Sequence, residues 1–498
     1  MAIEPIWTRH FGMPRQEVIF RTSQLAKIFR KGRNLKIHFH GAARTVTGSQ
    51  YLLEINASKL LLECGLFQGK RSETYDKNRN FSYDPSELDA VILSHAHIDH
   101  SGNLPNLVKA GYNGWIFATP PTVELAKTML LDAGHIQEAD IEFVNKHRAR
   151  HGEPPLEPLY TLQDAEAVGQ YFKTVSYDQE FTPIPGITAR LVDAGHILGS
   201  AAIVLDFQEN GKKTRLWFSG DIGRNDLPLM RDPVLPDNVD YLMMECTYGD
   251  RQHNDPQEAY DELYEVINRT VRRRGKIIIP AFSVGRTQEL VFMLNEMIQK
   301  RQIAPIPVFV DSPLAVHASE IFRKFPDYFD TETTEFVRDF HHPALDFKNL
   351  TYTHSVEESK AINDFKGPAV IISASGMAET GRILHHLQHN IENPANTILI
   401  VSWQAPYTLG RRLADREKEV KIFGMTFHVR AEIVTIGGLS AHAGQKNLVD
   451  YALHAKDHAR QIILVHGEPD ASNALQGKLR EVGIINLLYP ELHQSIEI

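Results

Sequence analysis

Residues Ser94 to Pro105 read SHAHIDHSGNLP, and His95, His97, Asp99 and His100 crowd into six consecutive positions. The preceding AVIL is a short apolar run of the kind that forms a buried strand. The chain therefore leaves a strand at Ser94. His95 and His97, two apart in extended backbone, face the same side. Asp99 and His100 are then expected to open a helix through SGNLPNLVKAG, with their side chains turned back toward the same hollow. Solvated or capping side chains would be the plainer reading, but imidazoles at this density suit a divalent transition metal, zinc foremost.

Further ligand types follow other apolar runs. His196 stands in the Gly-flanked turn VDAGHILGS, Asp221 follows RLWFSG, and His466 follows QIILV. Taken singly each is weak, because a lone histidine is more often a satisfied structural residue. Together with the first motif they make a His/Asp constellation. A carboxylate such as Asp221 can bridge two ions about 3.5–4 Å apart, the arrangement suited to in-line phosphoryl hydrolysis.

Around these residues the chain alternates short β-branched runs with helical patterns. KLLLE, YLMMECT, KIIIPAF, PVFVDSP, AVIISAS, TILIVSWQ and EIVTIGG read as buried strands of α/β layers. DELYEVINRTVRRR and QELVFMLNEMIQKRQ have helical spacing and are expected to cover a sheet. In such folds, polar residues at strand ends carry function. The Pro-containing region from Gln137 to Leu162 reads as a surface excursion.

The length of 498 residues predicts two or three domains. With 42% hydrophobic and 23% charged residues the composition is that of an ordinary globular protein. No apolar run reaches the roughly 20 residues needed to cross a bilayer, and no signal peptide is evident at the N-terminus. Cys64 and Cys246 are expected as buried free thiols in a reducing cytoplasm. The net charge of −9 excludes a generally basic surface but not nucleic acid, which needs only local positive patches. The densest basic stretches, Arg272 to Lys276 and Gly410 to Lys421, read as solvated helix faces.

HAHIDH, GHILGS and FSGDIGR together resemble the metallo-β-lactamase superfamily. Beyond Tyr241 the segments MMECTYGDR, IIIPAFSVGRTQEL, VFVDSPLA, IISASGMAETGR, WQAPYTLGRRL, GGLSAHAGQ and LVHGE narrow the resemblance to its β-CASP subfamily of nucleases. The likeness runs from about Leu35 to the C-terminus. It implies an α/β protein: a metallo-β-lactamase αββα sandwich (35–248 and 433–498) carrying an inserted α/β β-CASP domain (249–432), after an N-terminal extension (1–34). It further implies two zinc ions, one held by His95, His97 and His196 and the other by Asp99, His100 and His466, with Asp221 between them. Glu245 and His442 would be the catalytic pair beside Asp99 and Asp221. One departure is Glu63, where the superfamily usually has aspartate in a position that orients a ligand histidine. The longer side chain is expected to be absorbed by a small backbone adjustment.

Zinc brings the pKa of a bound water to about 7, so water activated by two metals would attack phosphorus at neutral pH. His442, held by Glu245, would protonate the leaving oxygen. Ser375, Gly376 and Arg382 are expected to contact a substrate phosphate, whereas His385 and His386 read as structural. These expectations describe a ribonuclease acting on single-stranded RNA in a groove between the domains. Two other readings compete with it. A lactamase-fold hydrolase of a small ester, thioester or lactam would have no use for a second wall, and a silent scaffold would lack ligands that this chain keeps. Endonuclease action is preferred to 5′-exonuclease action, because ribonuclease J carries a further C-terminal domain and this chain ends soon after His466. A homo-oligomer is left open.

Overall fold

Each apolar run singled out above holds a strand in the computed structural model, which describes residues 35–498 except 56, 57, 70, 210 and 342. The N-terminal extension, 1–34, lies outside the described residues. One sheet is ordered Ser495–Glu497, Lys36–Phe39, Tyr51–Ile55, Ser58–Leu62, Ala90–Ile92, Trp115–Ala118, Phe172–Thr174. A second is ordered Leu487–Leu488, Gln461–Val465, Tyr241–Glu245, Lys212–Phe218, Ala201–Glu209, Ile187–Asp193, Glu180–Phe181. Their inner faces meet in one core, where Phe39, Leu53, Leu62 and Ile92 pack with Leu191, Ile203, Leu216, Met243 and Ile463.

Helices close both outer faces. Leu104, Leu107, Val123 and Leu130 cover Leu61, Val91 and Ile116 of the first sheet. Leu448, Tyr451, Leu475 and Leu479 cover Val204, Trp217, Leu242 and Leu464 of the second. The result is the αββα sandwich.

The third sheet, ordered Leu350–Tyr352, Val308–Val310, Ala369–Ser373, Lys276–Pro280, Thr397–Ile400, Glu432–Thr435, is parallel throughout. Burial on both faces explains why its strands are apolar without alternation. Leu263, Leu290 and Phe322 pack on one face, and Ile383, Leu387 and Leu413 on the other. Its last strand straddles the expected boundary at 432/433, so this sheet runs to Thr435.

The two segments that join the third sheet to the sandwich lie together. Tyr248 pairs with Gly444, Gly223 pairs with His442, and the Arg224 guanidinium donates to the carbonyls of Asn254 and Gly438.

Three local expectations need correction. The helix after His97 comes in two pieces, Ile98–Ser101 and Leu104–Lys109. Pro105 fits only the first turn of a helix, so the second piece restarts there. The first part of the supposed excursion belongs to the helix Pro120–Arg150, because no Gly or Pro interrupts it between Gly134 and Gly152. Only the stretch 151–161 is a loop, pinned where the Asn145 side chain meets the backbone of Leu156 at 2.8 Å. Lys276 is buried at the start of its strand with its ammonium on the Ile362 carbonyl, while Arg411 and Arg412 do form surface ion pairs, with Asp415 and Glu417.

Cys64 and Cys246 are buried free thiols. No helix among the described residues is long and apolar enough to cross a membrane.

Candidate metal centre and hydrolytic site

Strand ends of both sandwich sheets converge on one buried cluster. His95 and His97 follow Ala90–Ile92, His196 follows Ile187–Asp193, Asp221 follows Lys212–Phe218, and His466 follows Gln461–Val465. Glycine makes the approach of these loops tight. A Cβ on Gly65 would lie 1.7 Å from the Asp99 carbonyl oxygen, and one on Gly223 would lie 1.9 Å from that of Gly195. Neither position can carry a side chain without moving a ligand loop.

The cluster has two parts. In one, His97 Nδ1 lies 3.1 Å from His95 Nε2 and 3.2 Å from His196 Nε2. Asp221 Oδ2 is 3.5 Å from His95 Nε2 and 3.7 Å from His196 Nε2. In the other, His100 Nε2 is 3.2 Å from His466 Nε2, and Asp99 Oδ2 is 3.8 and 3.5 Å from the same two atoms. Asp221 Oδ2 also lies 3.3 Å from His100 Nε2, so one carboxylate oxygen stands between the two sets.

Hydrogen bonding alone does not account for this arrangement. A ring nitrogen has one proton or one lone pair, so His97 Nδ1 serves only one of its two neighbours well. Among the described residues, buried Asp221 Oδ1, 3.5 Å from His466 Nδ1, makes no hydrogen bond, and neither does His196 Nδ1. Ligands about 2.0–2.1 Å from zinc stand roughly 3.3 Å apart across a tetrahedral edge, close to the spacings found. The donor set therefore fits metal ions.

Other side chains aim the ligands. Glu63 Oε2 accepts from His100 Nδ1 at 2.6 Å, and Glu63 also accepts from the Ser94 amide at 2.5 Å and the Ser94 hydroxyl at 3.0 Å. Thus glutamate does reach the candidate ligand His100, from a residue whose φ is +64°. Two partners went unnoticed in the sequence. Ser94 Oγ lies 2.9 Å from His95 Nδ1, and Thr247 Oγ1 lies 3.1 Å from His466 Nδ1. The signal was adjacency, since both stand inside quoted motifs, SHAHIDH and MMECTYGDR.

His442 stands at the rim. Its Nδ1 is 3.2 Å from both oxygens of fully buried Glu245, and its Nε2 is 3.9 Å from Asp221 Oδ2. Pairing of its backbone with Gly223, two residues beyond Asp221, fixes it there. The Tyr248 ring, also missed in the sequence, meets its imidazole edge-on at 5.8 Å.

Burial drives His95 and His196 well below the ordinary imidazole range, and His97 down to about 4. The neutral ring is the form that binds a metal. For Asp99 burial opposes the charge, yet His100 and His466 outweigh it and hold the carboxyl at about 2. For His442 burial again opposes the charge, but Glu245 and Asp221 raise it to about 9. A bound dication would lower that value.

In the loop expected to hold phosphate, several groups have partners within the chain. The Ser375 hydroxyl accepts from the Glu379 and Thr380 amides, and Arg382 spends its guanidinium on Asp311 at 2.7 Å and on the His354 carbonyl. Gly376 gives its carbonyl to the Gln404 amide. His386 is buried with Nε2 on Asp311 at 2.6 Å, and the His385 ring meets Phe423 at a tilt, with centroids 4.7 Å apart.

An αββα sandwich with such a ligand cluster at its strand ends defines a metal-dependent hydrolase. Family models match as the metallo-beta-lactamase superfamily over residues 43–237, the Beta-Casp domain over 287–413, and the Zn-dependent metallo-hydrolase RNA specificity domain over 426–490. The chain belongs to the β-CASP metallo-β-lactamase family. It is 35% identical over 439 residues to Ribonuclease TTHA0252 of Thermus thermophilus, covering 88% of this chain and 94% of that one. It is 31% identical over 444 residues to Transcription termination factor FttA of Methanocaldococcus jannaschii, covering 87% and 67%. A crystal structure of a protein of unknown function from Enterococcus faecalis shares the fold, with TM-score 0.55 and 13% identity over 94% of this chain and all of that one.

Proposed function

We propose that this protein is a two-zinc ribonuclease that hydrolyses phosphodiester bonds of single-stranded RNA, cutting endonucleolytically in RNA processing or decay in the cytoplasm. The observation that carries the reading is Asp221. Its single oxygen Oδ2 lies within 3.9 Å of His95, His100, His196 and His442, joining both ligand sets to the candidate proton donor. Likeness to a named ribonuclease over 94% of that protein's length supports RNA as substrate. The inserted unit is taken as Gly249 to Thr435.

His95, His97 and His196 would hold one zinc ion, and Asp99, His100 and His466 the other, with Asp221 shared. The ions would supply Lewis acidity and a water that ionises near neutral pH. The chain's own residues do the rest. Glu63 keeps the His100 ring turned so that Nε2 points into the cluster. Glu245 holds His442 by Nδ1, which leaves Nε2 facing the cluster with a proton to give the departing ribose oxygen.

Zinc-loaded protein is to be followed on 5′- and 3′-labelled single-stranded RNA in a denaturing-gel time course. Internal fragments from both labels are expected, with a rate that falls as salt rises because phosphate contacts release counterions. Mononucleotides appearing from the 5′ label alone would make it a 5′-exonuclease. Faster turnover of a small ester, thioester or lactam than of RNA would overturn the reading.

A further inference from the structure

Two aromatic side chains stand in solvent at the carboxyl ends of neighbouring strands in the third sheet. Phe282 follows Lys276–Pro280 and is 43% exposed, while Trp403 follows Thr397–Ile400 and is 51% exposed. Among the described residues neither ring packs on another aromatic ring. Single exposed apolar residues are ordinary, but the position of these two is not that of a random surface.

The segment bearing Phe282 is rigid. The Ala281 amide bonds the Ser373 carbonyl, and the Thr287 hydroxyl donates 2.7 Å to the Phe282 carbonyl. Three residues further on, the segment approaches the loop of the candidate ligand His196, because a Cβ built on Gly285 would stand 3.3 Å from Ile197. On its other side the Phe282 ring lies against the Gly376 turn, 3.1 Å from where a Cβ would stand. Gln404, next to Trp403, donates its amide to the Gly376 carbonyl at 3.0 Å. Trp403, the Gly376 turn, the Phe282 segment and the His196 loop thus follow one another from the third sheet toward the sandwich.

We propose that Phe282 and Trp403 form a base-stacking surface, on which unpaired bases of an RNA strand lie while its backbone enters the metal centre. This rests on the ribonuclease reading above. A flat, fixed, half-exposed ring accepts any base through its π-face, so the surface favours single strands without reading sequence. A paired base keeps its faces inside the helix stack and cannot use it. Phe282, on the segment that approaches the His196 loop, takes the base nearer the broken bond, and Trp403 takes one farther away.

The test uses zinc-loaded full-length protein and a single-stranded oligoribonucleotide with one defined cleavage site. An abasic ribose is placed at each position flanking that site. Phe282→Ala should lower kcat/KM roughly 5- to 100-fold, the usual worth of one stacked base, and Phe282→Trp should restore it. One abasic position should cost the wild type as much, yet cost Phe282→Ala little more. Trp403→Ala should show the same masking at a different position. Equal losses for Phe282→Ala on intact and abasic RNA, or no loss on intact RNA, would overturn the stacking surface while leaving the ribonuclease standing. Failure of the zinc-loaded wild type to cut any RNA would instead overturn the ribonuclease reading. Should Phe282→Ala fold poorly, Phe282→Leu keeps the apolar volume without the ring and is expected to lose the same factor.

Discussion

Two buried carboxylates, each just beyond a strand, sit in very different company. Asp311 follows Val308–Val310 and is saturated, with Thr353 and Arg382 on Oδ1 and Ser359 and His386 on Oδ2, the last two at 2.6 Å. Asp221 follows Lys212–Phe218, has no hydrogen bond on Oδ1, and keeps four imidazole nitrogens 3.3–3.9 Å from Oδ2. The first set of distances is that of donors on an acceptor. The second fits donors spaced to hold metal ions. A buried polar cluster that balances its own donors and acceptors needs nothing further, and one that does not calls for an explanation, which a metal ion supplies here.

The largest test of that contrast is Asp221→Ala. Removing the shared carboxylate should lower occupancy at both metal positions. RNA cleavage should fall by roughly 10⁴-fold or more, since several kcal/mol of charge stabilisation goes with the ions. Elemental analysis alongside single-turnover kinetics checks it. Active wild-type protein with only trace transition metal would break the comparison outright.

His442→Ala should keep both metals and still slow cleavage by roughly 10²–10⁴-fold, the contribution of a positioned general acid. The loss should shrink on a nitrophenolate ester, whose leaving group needs no added proton. The sign with pH follows from the raised value: His442 keeps its proton through neutrality, and its contribution is lost as pH rises through about 9, earlier once bound metal lowers that value. Loss of zinc from His442→Ala, or equal slowing of good and poor leaving groups, would make it a ligand or a strut.

Glu63→Gln should weaken metal binding by about 10- to 100-fold, as is usual when a partner that orients a ligand is altered. Glu63→Asp would show whether the shorter carboxylate still reaches His100. Competition with a metallochromic chelator reads both variants.

The smallest effect on chemistry should come from Asp311→Asn. Metal content should not change, but thermal stability should drop by roughly 1–3 kcal/mol as charged hydrogen bonds are lost. Burial opposes the Asp311 charge, but His386, Ser359, Thr353 and Arg382 outweigh it and hold the carboxyl well below the usual range. The wild type's advantage over Asn should therefore be full above the unfolded value of about 4 and vanish as pH falls below it. An advantage that grew toward low pH would contradict this network.

What could be read directly was local. The spacing of His95, His97, Asp99 and His100 is a property of one strand end and the helix after it, so it needed no knowledge of the fold. Unbroken apolar runs marked the strands of the third sheet because both faces of that sheet are covered. The apolar runs before them marked His196, Asp221 and His466 as candidate ligands, family resemblance supplied their division between two ions and the pairing of His442 with Glu245, and the structure brings those side chains together.

The tertiary structure alone decided the fate of Arg382. Asp311, 71 residues earlier in the chain, takes its guanidinium, and nothing in SASGMAETGR signals that partner. It also decided where the third sheet ends, because pairing of Glu432–Thr435 with Thr397–Ile400 is a choice between strands and not within one. Likewise Phe282 looks in sequence like one more apolar residue after KIIIPA, and only the tertiary structure sets its ring against the Gly376 turn and brings Gly285 up to Ile197 of the His196 loop. Backbone spacing fixes which neighbours along the chain share a face. Which distant loops meet is set by how whole sheets pack, and that is what brings His196, Asp221, His442 and His466 to the loop of His95 and His100.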